Sequence, residues 1–371
     1  MHRTIAGSVD AGAAQAPGRT RGITGLVYKS VRGVTRLVGG GLDAILAQLA
    51  PTLAGRVSSP GREAVLAALN GVLGDYLAAT GNPLAIPMSL RRDGRALALE
   101  RRALAAAIPQ AGGKLALLVH GLCLSDLQWK REGHDHGAIL ARELGYTPVY
   151  LHYNSGLHTS TNGRALDGLL EVLLGQWPHP VEELAIVAHS MGGLIARSAW
   201  HYGRAAGHAW PRKLRELAFL GTPHHGAPLE RGGNRVDAIL SASPYAAPFA
   251  RLGKIRSAGI TDLRHGNVLD EDWKGRDRFA RARDTRRPVP LPEGVRCYAM
   301  AATRGKKPGD LRDRLLGDGL VPVRSALGLH DDPARSLPFP KSRQWIGYGM
   351  THLDLLGRTE VSDRLVRWFR A

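Results

Sequence analysis

One serine in this sequence stands where a nucleophile would be held. Ser190 follows the apolar run 184–188, which predicts a buried strand, and precedes residues 194–200, which predict a helix. Small residues lie two positions before it and two after it, Ala188 and Gly192. A sharp strand-to-helix turn needs small residues there, because the turn crowds its neighbours. We therefore expect a strained turn that presents the Ser190 hydroxyl; a glycine-rich helix start with a capping serine is the alternative.

A serine hydroxyl becomes a good nucleophile only when a base takes its proton and an acid orients that base. With a serine on such a turn, the acid and then the histidine follow it along the chain. We predict Asp318, flanked by glycines, as the acid and His352, just after the last predicted strand, as the base. The rival base is His330. The rival acids are Asp310, Asp313, Asp331 and Asp332.

Acyl transfer also needs two donors for the negative oxygen that develops on the substrate. We expect these to be the backbone amides of Met191, next to the serine, and of Leu122, in the loop after the third predicted strand. Cys123 adjoins this loop, but no base is arranged for it, so we expect it to line the pocket. The predicted substrate contacts are His120, Gly121, Cys123, His189 and His224.

Two histidine clusters invite a metal-site interpretation. We interpret residues 134–136, with the sequence His-Asp-His, as an exposed loop, and a metal site is the alternative. His224 and His225 follow the sixth predicted strand and should shape the rim of the cleft, with a ligand pair as the alternative. We expect neither a metal nor an organic cofactor, because the predicted chemistry needs neither.

The elements that must position these residues alternate between strand and helix. A two-residue Asp93-Gly94 turn predicts an opening hairpin. The next strands are predicted at 114–120, 148–153, 184–188, 217–220, 295–302 and 344–349, and helices at 138–144, 163–174 and 361–369. Apolar strands alternating with helices predict an α/β fold with a mostly parallel sheet covered on both faces. The carboxyl ends of its strands then meet at one edge, where functional sites gather.

Two regions lie outside this alternation. The sequence predicts a disordered tail at 1–20 and an N-terminal extension up to residue 85, with helices within 23–53 and at 62–77. The catalytic domain is predicted at residues 86–371. We favour a helical cap over an amphipathic segment that contacts a membrane surface. The insert 224–292 breaks the strand pattern, and an insert of this length is typical of a lid, with Phe249 and Leu252 among its apolar members.

Composition limits the classes of function. The 371 residues carry a formal charge of +18, but the basic residues are scattered and interleaved with acids, so we expect a solvated surface and no nucleic-acid partner. Two cysteines make no disulfide framework. The sequence shows neither a signal peptide nor an apolar run of membrane-spanning length. We expect a cytoplasmic protein, with peripheral membrane contact through the N-terminal helices as the alternative; the oligomeric state is not predicted.

These motifs together resemble the lipase and esterase branch of the α/β-hydrolase superfamily. The resemblance rests on five stretches in order: residues 119–122, 188–193, 221–226 and 318–322, and His352. The segment 221–224, Gly-Thr-Pro-His, is also similar to inositol-deacylase-like hydrolases that act on lipid anchors. The resemblance implies an α/β-hydrolase fold and a serine carboxylic-ester hydrolase acting through an acyl-enzyme. The alternatives are an acyltransferase or amidase with the same residues, and a catalytically silent protein that binds a lipid or partner.

Overall fold

A computed structural model describes residues 46, 53, 59–227, 257–276, 284, 286–307 and 317–371 of the chain. The predicted disordered tail and most of the first predicted helices lie outside the described residues. So do Phe249 and Leu252 of the predicted lid, and the rival acids Asp310 and Asp313.

The described residues form one sheet of eight strands in the order β2-β1-β4-β3-β5-β6-β7-β8. The strands from β3 onward are all parallel, and β1 and β2 are antiparallel to their neighbours. This is the α/β-hydrolase fold that the sequence predicted. The strands are β1 (Ser89–Arg92), β2 (Arg95–Ala96), β3 (Lys114–Val119), β4 (Thr147–His152), β5 (Glu183–His189), β6 (Leu214–Leu220), β7 (Arg296–Thr303) and β8 (Gln344–Tyr348).

The predicted opening hairpin is confirmed. Arg92 pairs with Arg95, so Asp93 and Gly94 alone make the turn. Both have positive φ, 51° and 74°. A two-residue turn with positive φ at both positions matches the twist of the strands it joins, which is why Asp-Gly suits it.

Helices cover both faces of the sheet. They are α1 (Pro60–Ala79), α2 (Arg101–Ala107), α3 (His136–Leu144), α4 (Thr159–Gln176), α5 (Met191–Ala206), α6 (Ala258–His265), α7 (Val323–Ala326) and α8 (Thr359–Arg370). Capping side chains and glycines fix where these helices begin and end, as α3 shows. Asp135 accepts hydrogen bonds from the first amides of α3, and Gly145, with φ of 73°, ends that helix.

The apolar strands serve two cores because alternate side chains point to opposite faces of the sheet. In β3, Leu115, Leu117 and Val119 join the larger core, which also holds α1, α4 and α5. Ala116 and Leu118 join the smaller core, which holds α3 and α8. Strands buried on both faces read as continuous apolar runs, as the sequence showed.

The parallel register brings the loops after β3 and β5 together. Val119, the last residue of β3, lies beside Ala188 of β5. His189 lies beside Leu220 of β6. The segments that begin at His120, Ser190 and Gly221 therefore leave the sheet at the same edge.

Helix α1 packs on this edge and shares the larger core. Gly71 lies so close to Cys123 that a Cβ there would be 2.2 Å from the cysteine Sγ, and a Cβ at Gly74 would be 1.8 Å from the Asn154 side chain. The domain division at residue 85 stays a prediction. In the part of the chain that the structure describes, no helix has both the length and the apolar character needed to cross a bilayer.

Candidate active site

Ser190 lies on the predicted strained turn between β5 and α5. Its φ of 54° and ψ of −124° fall in a region that residues with a side chain rarely adopt. The Ser190 amide donates to the Leu220 carbonyl at 2.8 Å, which ties the turn to β6. Backbone strain of this kind persists only where the surrounding structure enforces it, and it concentrates at functional sites.

The glycines after the serine are required by close packing. A Cβ on Gly192 would lie 2.6 Å from the carbonyl oxygens of both Val119 and His120, and a Cβ on Gly193 would lie 2.0 Å from Thr222 Oγ1. Real Cβ atoms do not approach other atoms so closely. The small residue two positions after the serine therefore lets α5 start directly beneath the loop that follows β3.

Two backbone amides near the Ser190 cavity, those of Met191 and Leu122, have no acceptor among the described residues. Met191 begins α5, so its amide has no partner within the helix. Neither that amide nor the Leu122 amide donates a hydrogen bond to any described residue. The next amide, that of Cys123, donates to Ser155 Oγ at 3.1 Å, and Cys123 has a positive φ of 59°. Gly121 fits tightly here, because a Cβ on it would be 2.9 Å from Ser190 Cβ.

His352 and Asp318 form a buried pair at the same edge. The distance from His352 Nδ1 to Asp318 Oδ2 is 2.6 Å, and the side chains are 6% and 1% exposed. The second carboxylate oxygen, Oδ1, accepts the amides of Leu320 and Val321 at 2.9 and 2.8 Å. Because Nδ1 is bound to the carboxylate, Nε2 is the ring nitrogen left for other chemistry.

The described rivals for these two positions lie elsewhere. Asp331 is exposed and binds Arg324 at 2.7 Å, and Asp332 caps a short 3₁₀ helix at Pro333–Arg335. The amide of Asp332 donates to the ring of His330. None of these three residues lines the cavity that contains Ser190.

Ser190 and His352 line one cavity of about 430 Å³. Its walls are mostly apolar. Two of the eleven lining residues come from the predicted lid: Ala227, and Leu263, which lies in α6. The full lining is Gly121, Leu122, Leu124, His189, Ser190, Ala227, Leu263, Leu320, Val321, His352 and Leu353. Sequence reasoning missed Leu124, Ala227, Leu263, Leu320, Val321 and Leu353. Leu124 and Leu353 directly follow a predicted site residue, which is the signal that could have found them.

Of the predicted substrate contacts, Gly121 and His189 lie on this cavity. His189 Nε2 donates to the carbonyl oxygen of His352 at 3.1 Å. Burial and the neighbouring His352 ring hold the pKa of His189 well below its usual value. His189 is therefore neutral and fixes the segment that carries His352.

Three predicted substrate contacts need correction, because their side chains lie away from this cavity. His120 stacks on the Tyr153 ring with centroids 4.3 Å apart, and burial lowers its pKa to about 3. Cys123 packs against α1, and burial raises the pKa of its thiol to about 12, so it is not a thiolate nucleophile at neutral pH. His224 lines a different cavity, with Arg197.

The interpretation of residues 134–136 as an exposed loop was also wrong. His136 is fully buried in the first turn of α3, and its Nε2 donates to the carbonyl oxygen of Leu355 at 2.9 Å. Asp135 caps the helix and accepts a hydrogen bond from Tyr150. Among the described residues, no group of three or more histidine, cysteine or acidic side chains could hold a metal ion.

Comparison with known proteins gives one family match. A family model described as the PGAP1-like alpha/beta domain matches residues 110–287, just under half of the chain. This range contains Ser190 but ends before Asp318 and His352. No curated protein sequence matches the chain.

Solved structures similar to this chain include lipases and a phospholipase. Bacillus licheniformis lipase BlEst2 is 20% identical, with 66% of this chain and 86% of that chain covered and a TM-score of 0.42. Aspergillus fumigatus lipase B is 10% identical, with coverages of 90% and 81% and a TM-score of 0.43. Phospholipase PlaB from Legionella pneumophila is 17% identical, with coverages of 57% and 45% and a TM-score of 0.37.

Proposed function

We propose that this chain, which has the α/β-hydrolase fold, is a serine hydrolase that cleaves carboxylic esters. The observation that carries the proposal is the buried His352–Asp318 pair at the cavity where Ser190 lies on its strained turn. A serine, a histidine and a carboxylate with a shared cavity are the groups that acyl transfer through a covalent intermediate requires.

The mechanism follows from the position of each group. Ser190 Oγ attacks the ester carbonyl carbon while His352 Nε2 takes the hydroxyl proton. The Asp318 carboxylate holds His352 in the orientation needed and stabilises the charged imidazolium. The amides of Leu122 and Met191 donate to the negative oxygen of the tetrahedral intermediate. His352 then gives its proton to the leaving alcohol, and water repeats the sequence to release the acid and free Ser190.

The cavity walls favour an apolar acyl or alcohol group. Leucine and valine side chains make up most of the surface around Ser190. Burying hydrocarbon there contributes roughly 25 cal/mol per Å² of apolar area removed from water. A cavity of this kind accepts esters with alkyl chains more readily than strongly polar esters. Leu263 of α6 belongs to this wall, which supports the insert as part of the substrate site.

Hydrolysis of p-nitrophenyl esters of graded chain length, from acetate to decanoate, tests the proposal. Ser190→Ala should lower kcat/KM by about 10⁴–10⁶ because it removes the nucleophile. Ser342→Ala is the matched control, since Ser342 is exposed and lies outside this cavity. Activity of Ser190→Ala within tenfold of the wild type would refute the assignment. No turnover of any ester by the wild type, with an unreactive Ser190, would favour the catalytically silent alternative.

A further inference from the structure

A second cavity is also lined by residues of the segment that follows β6. Its volume is about 330 Å³. Three elements contribute residues to both cavities: the loop 221–227, helix α5 with Ser190 before it, and helix α6 with the residues after it. The cavity is lined by Arg197, His224, His225, Gly266, Val268, Asp272, Arg286, Arg287, Pro288, Val289 and Arg335.

Arg197 of α5 is buried in this wall without a carboxylate partner among the described residues. It is 4% exposed, and its Nη2 donates to the Val289 carbonyl oxygen. Burial and the neighbouring Arg286 lower its pKa to about 10, so it remains a cation at neutral pH. Its Nε–H is buried and meets no acceptor in the part of the chain that the structure describes. A buried donor left without an acceptor is costly, which indicates that something else supplies one.

His224 adds a second buried donor. An arginine can only donate, so in the 3.4 Å contact between Arg197 Nη1 and His224 Nδ1 the histidine nitrogen accepts. Burial and the Arg197 charge hold the pKa of His224 well below its usual value, so the ring is neutral. Its single proton is then on Nε2, which is also buried and has no acceptor among the residues that the structure describes. Two buried N–H groups thus belong to the wall of one cavity.

Positive charge dominates the lining. Four arginines, Arg197, Arg286, Arg287 and Arg335, stand against one lining carboxylate, Asp272. Asp272 is occupied by backbone amides, because its Oδ2 accepts those of Val268 and Leu269 and its Oδ1 accepts that of Arg287. Asp284 binds Arg286 and Arg335, and Asp332 also pairs with Arg335. Among the described residues, four positive charges against these three carboxylates leave an excess of one.

We infer that this second cavity is a binding site for a phosphate group. The two buried donors, and the charges of Arg197 and Arg287, which have no carboxylate partner among the described residues, need an acceptor with several oxygens and negative charge. A phosphate supplies three or four such oxygens, and planar guanidinium groups match its geometry. A neutral ligand would leave the positive charge uncompensated, and a single carboxylate would offer only two acceptor oxygens.

The position of the site suggests what carries the phosphate. Arg197 lies in α5, seven residues after Ser190, which immediately precedes that helix. This separation is about 10 Å along the helix axis at about 1.5 Å per residue. An ester with a phosphorylated headgroup and a free phosphate ion are the two sources that this chemistry allows. The shared property, a phosphate bound by Arg197, His224 and the surrounding arginines, does not depend on ester hydrolysis.

Binding is measured by calorimetry and thermal melting with inorganic phosphate on the full chain carrying Ser190→Ala, so that the outcome is independent of catalysis. Phosphate should raise the melting temperature with increasing concentration, and acetate at the same ionic strength should not. Equal effects of phosphate and acetate, or no effect of phosphate, would overturn the inference.

Two variants locate the binding. Arg197→Lys keeps the charge but removes the Nε donor and the planar fork, and it should weaken phosphate binding at least tenfold. Arg287→Gln removes the charge of an exposed lining residue, and it should weaken phosphate binding about tenfold. Because Arg287 is exposed, this variant still tests the site if Arg197→Lys folds poorly. Arg102→Gln, exposed on α2, is the control with the same charge change. Phosphate affinity in Arg287→Gln equal to that in the control would contradict the site.

A kinetic comparison identifies the source. We would measure KM for a fatty ester of glycerol phosphate and for the matching uncharged glycerol ester, in the wild type and in Arg287→Gln. If the substrate carries the phosphate, the ratio of the two KM values should change about tenfold. If the phosphate is a free ion, the ratio should stay constant while phosphate affinity falls. Either result supports the phosphate site and shows whether the bound phosphate belongs to the ester substrate or is a free ion.

Discussion

The two cavities that share the loop 221–227 differ in how their polar groups are satisfied. At the Ser190 cavity, the buried ring of His352 is bound to Asp318, the walls are mostly apolar, and the donors without an acceptor among the described residues are backbone amides. At the Arg197 cavity, the buried N–H groups without an acceptor among the described residues belong to side chains, and four arginines line the wall. The first cavity pairs the ring of His352 with another side chain of the protein. The second leaves side-chain donors that a ligand would satisfy.

The same elements build both cavities. Helix α5 begins beside Ser190 and carries Arg197 two turns further on. The loop after β6 contributes Ala227 to one cavity and His224 to the other, and α6 contributes Leu263 to the first while Gly266, just after it, lines the second. No described residue lines both cavities, so substitutions in one can be chosen to leave the lining of the other unchanged, which makes the comparison testable.

The largest effect after loss of the nucleophile should come from the acid. Asp318→Asn keeps the shape of the side chain but removes the charge that supports the imidazolium, and it should lower kcat by up to about 10⁴. Steady-state kinetics on a p-nitrophenyl ester measures this. Phosphate binding at the second cavity should be unchanged.

The rival acids provide the control for that experiment. Asp331→Asn and Asp332→Asn remove exposed carboxylates that do not line the Ser190 cavity, and each should keep activity within about twofold. A severe loss in either of these variants, with Asp318→Asn active, would show that the acid was misassigned.

A smaller effect should come from crowding the oxyanion donors. Gly121→Ala places a Cβ 2.9 Å from Ser190 Cβ and should displace the loop that presents the Leu122 amide. Loss of one oxyanion donor costs about 10²–10³ in kcat. Gly168→Ala in α4 is the control, because a Cβ there meets nothing within 4 Å and should be neutral or stabilising. Full activity of Gly121→Ala would argue against this loop as a donor.

Much of the Ser190 site could be predicted because local sequence determines it. A sharp turn needs small residues at fixed positions, and an acid and a base are expected after particular strands, so short motifs predicted the three residues Ser190, Asp318 and His352, which the structure brings to one edge of the sheet. The side chains around them depend on tertiary packing. His120 and Cys123 adjoin a predicted donor loop, yet both point into packed surroundings, against Tyr153 and α1. Nothing in the local sequence distinguishes these directions.

The Arg197 cavity could not be predicted for the same reason. Arg197 reads as one polar position in an ordinary helix, and its lining partners come from segments up to about 138 positions away in the chain, as far as Arg335. Only the fold brings them together. The sequence showed a high positive charge without showing where it gathers.

A moderate and selective effect should come from the wall of the Ser190 cavity. Leu263→Ala removes apolar surface that α6 contributes, so kcat/KM for decanoate esters should fall roughly tenfold more than for acetate esters. Rates on both esters, measured on the same preparation, separate this from simple loss of folded protein. Equal losses on the two esters would show that Leu263 does not contact the acyl chain.

The smallest effect concerns stability against pH. Burial lowers the pKa of His120 to about 3, against about 6.5 for an ordinary histidine. Below pH 6.5 the unfolded chain binds a proton that the folded chain does not, so this contribution to stability is full above about 6.5 and is lost as the pH falls towards 3. His120→Asn should reduce the slope of unfolding free energy against pH by about 1.4 kcal/mol per unit between pH 4 and 6. Urea unfolding measures it, and an unchanged slope would contradict a neutral His120.

The central claim is that Ser190 is the activated nucleophile, and covalent labelling tests it most directly. The protein is treated with diethyl p-nitrophenyl phosphate, which phosphorylates a serine only when a base activates it, and the modified peptide is identified by mass spectrometry. We predict one label per chain, on Ser190, with release of one equivalent of p-nitrophenolate and none from Ser190→Ala. A label on another residue, or an unlabelled wild-type protein, would contradict the account.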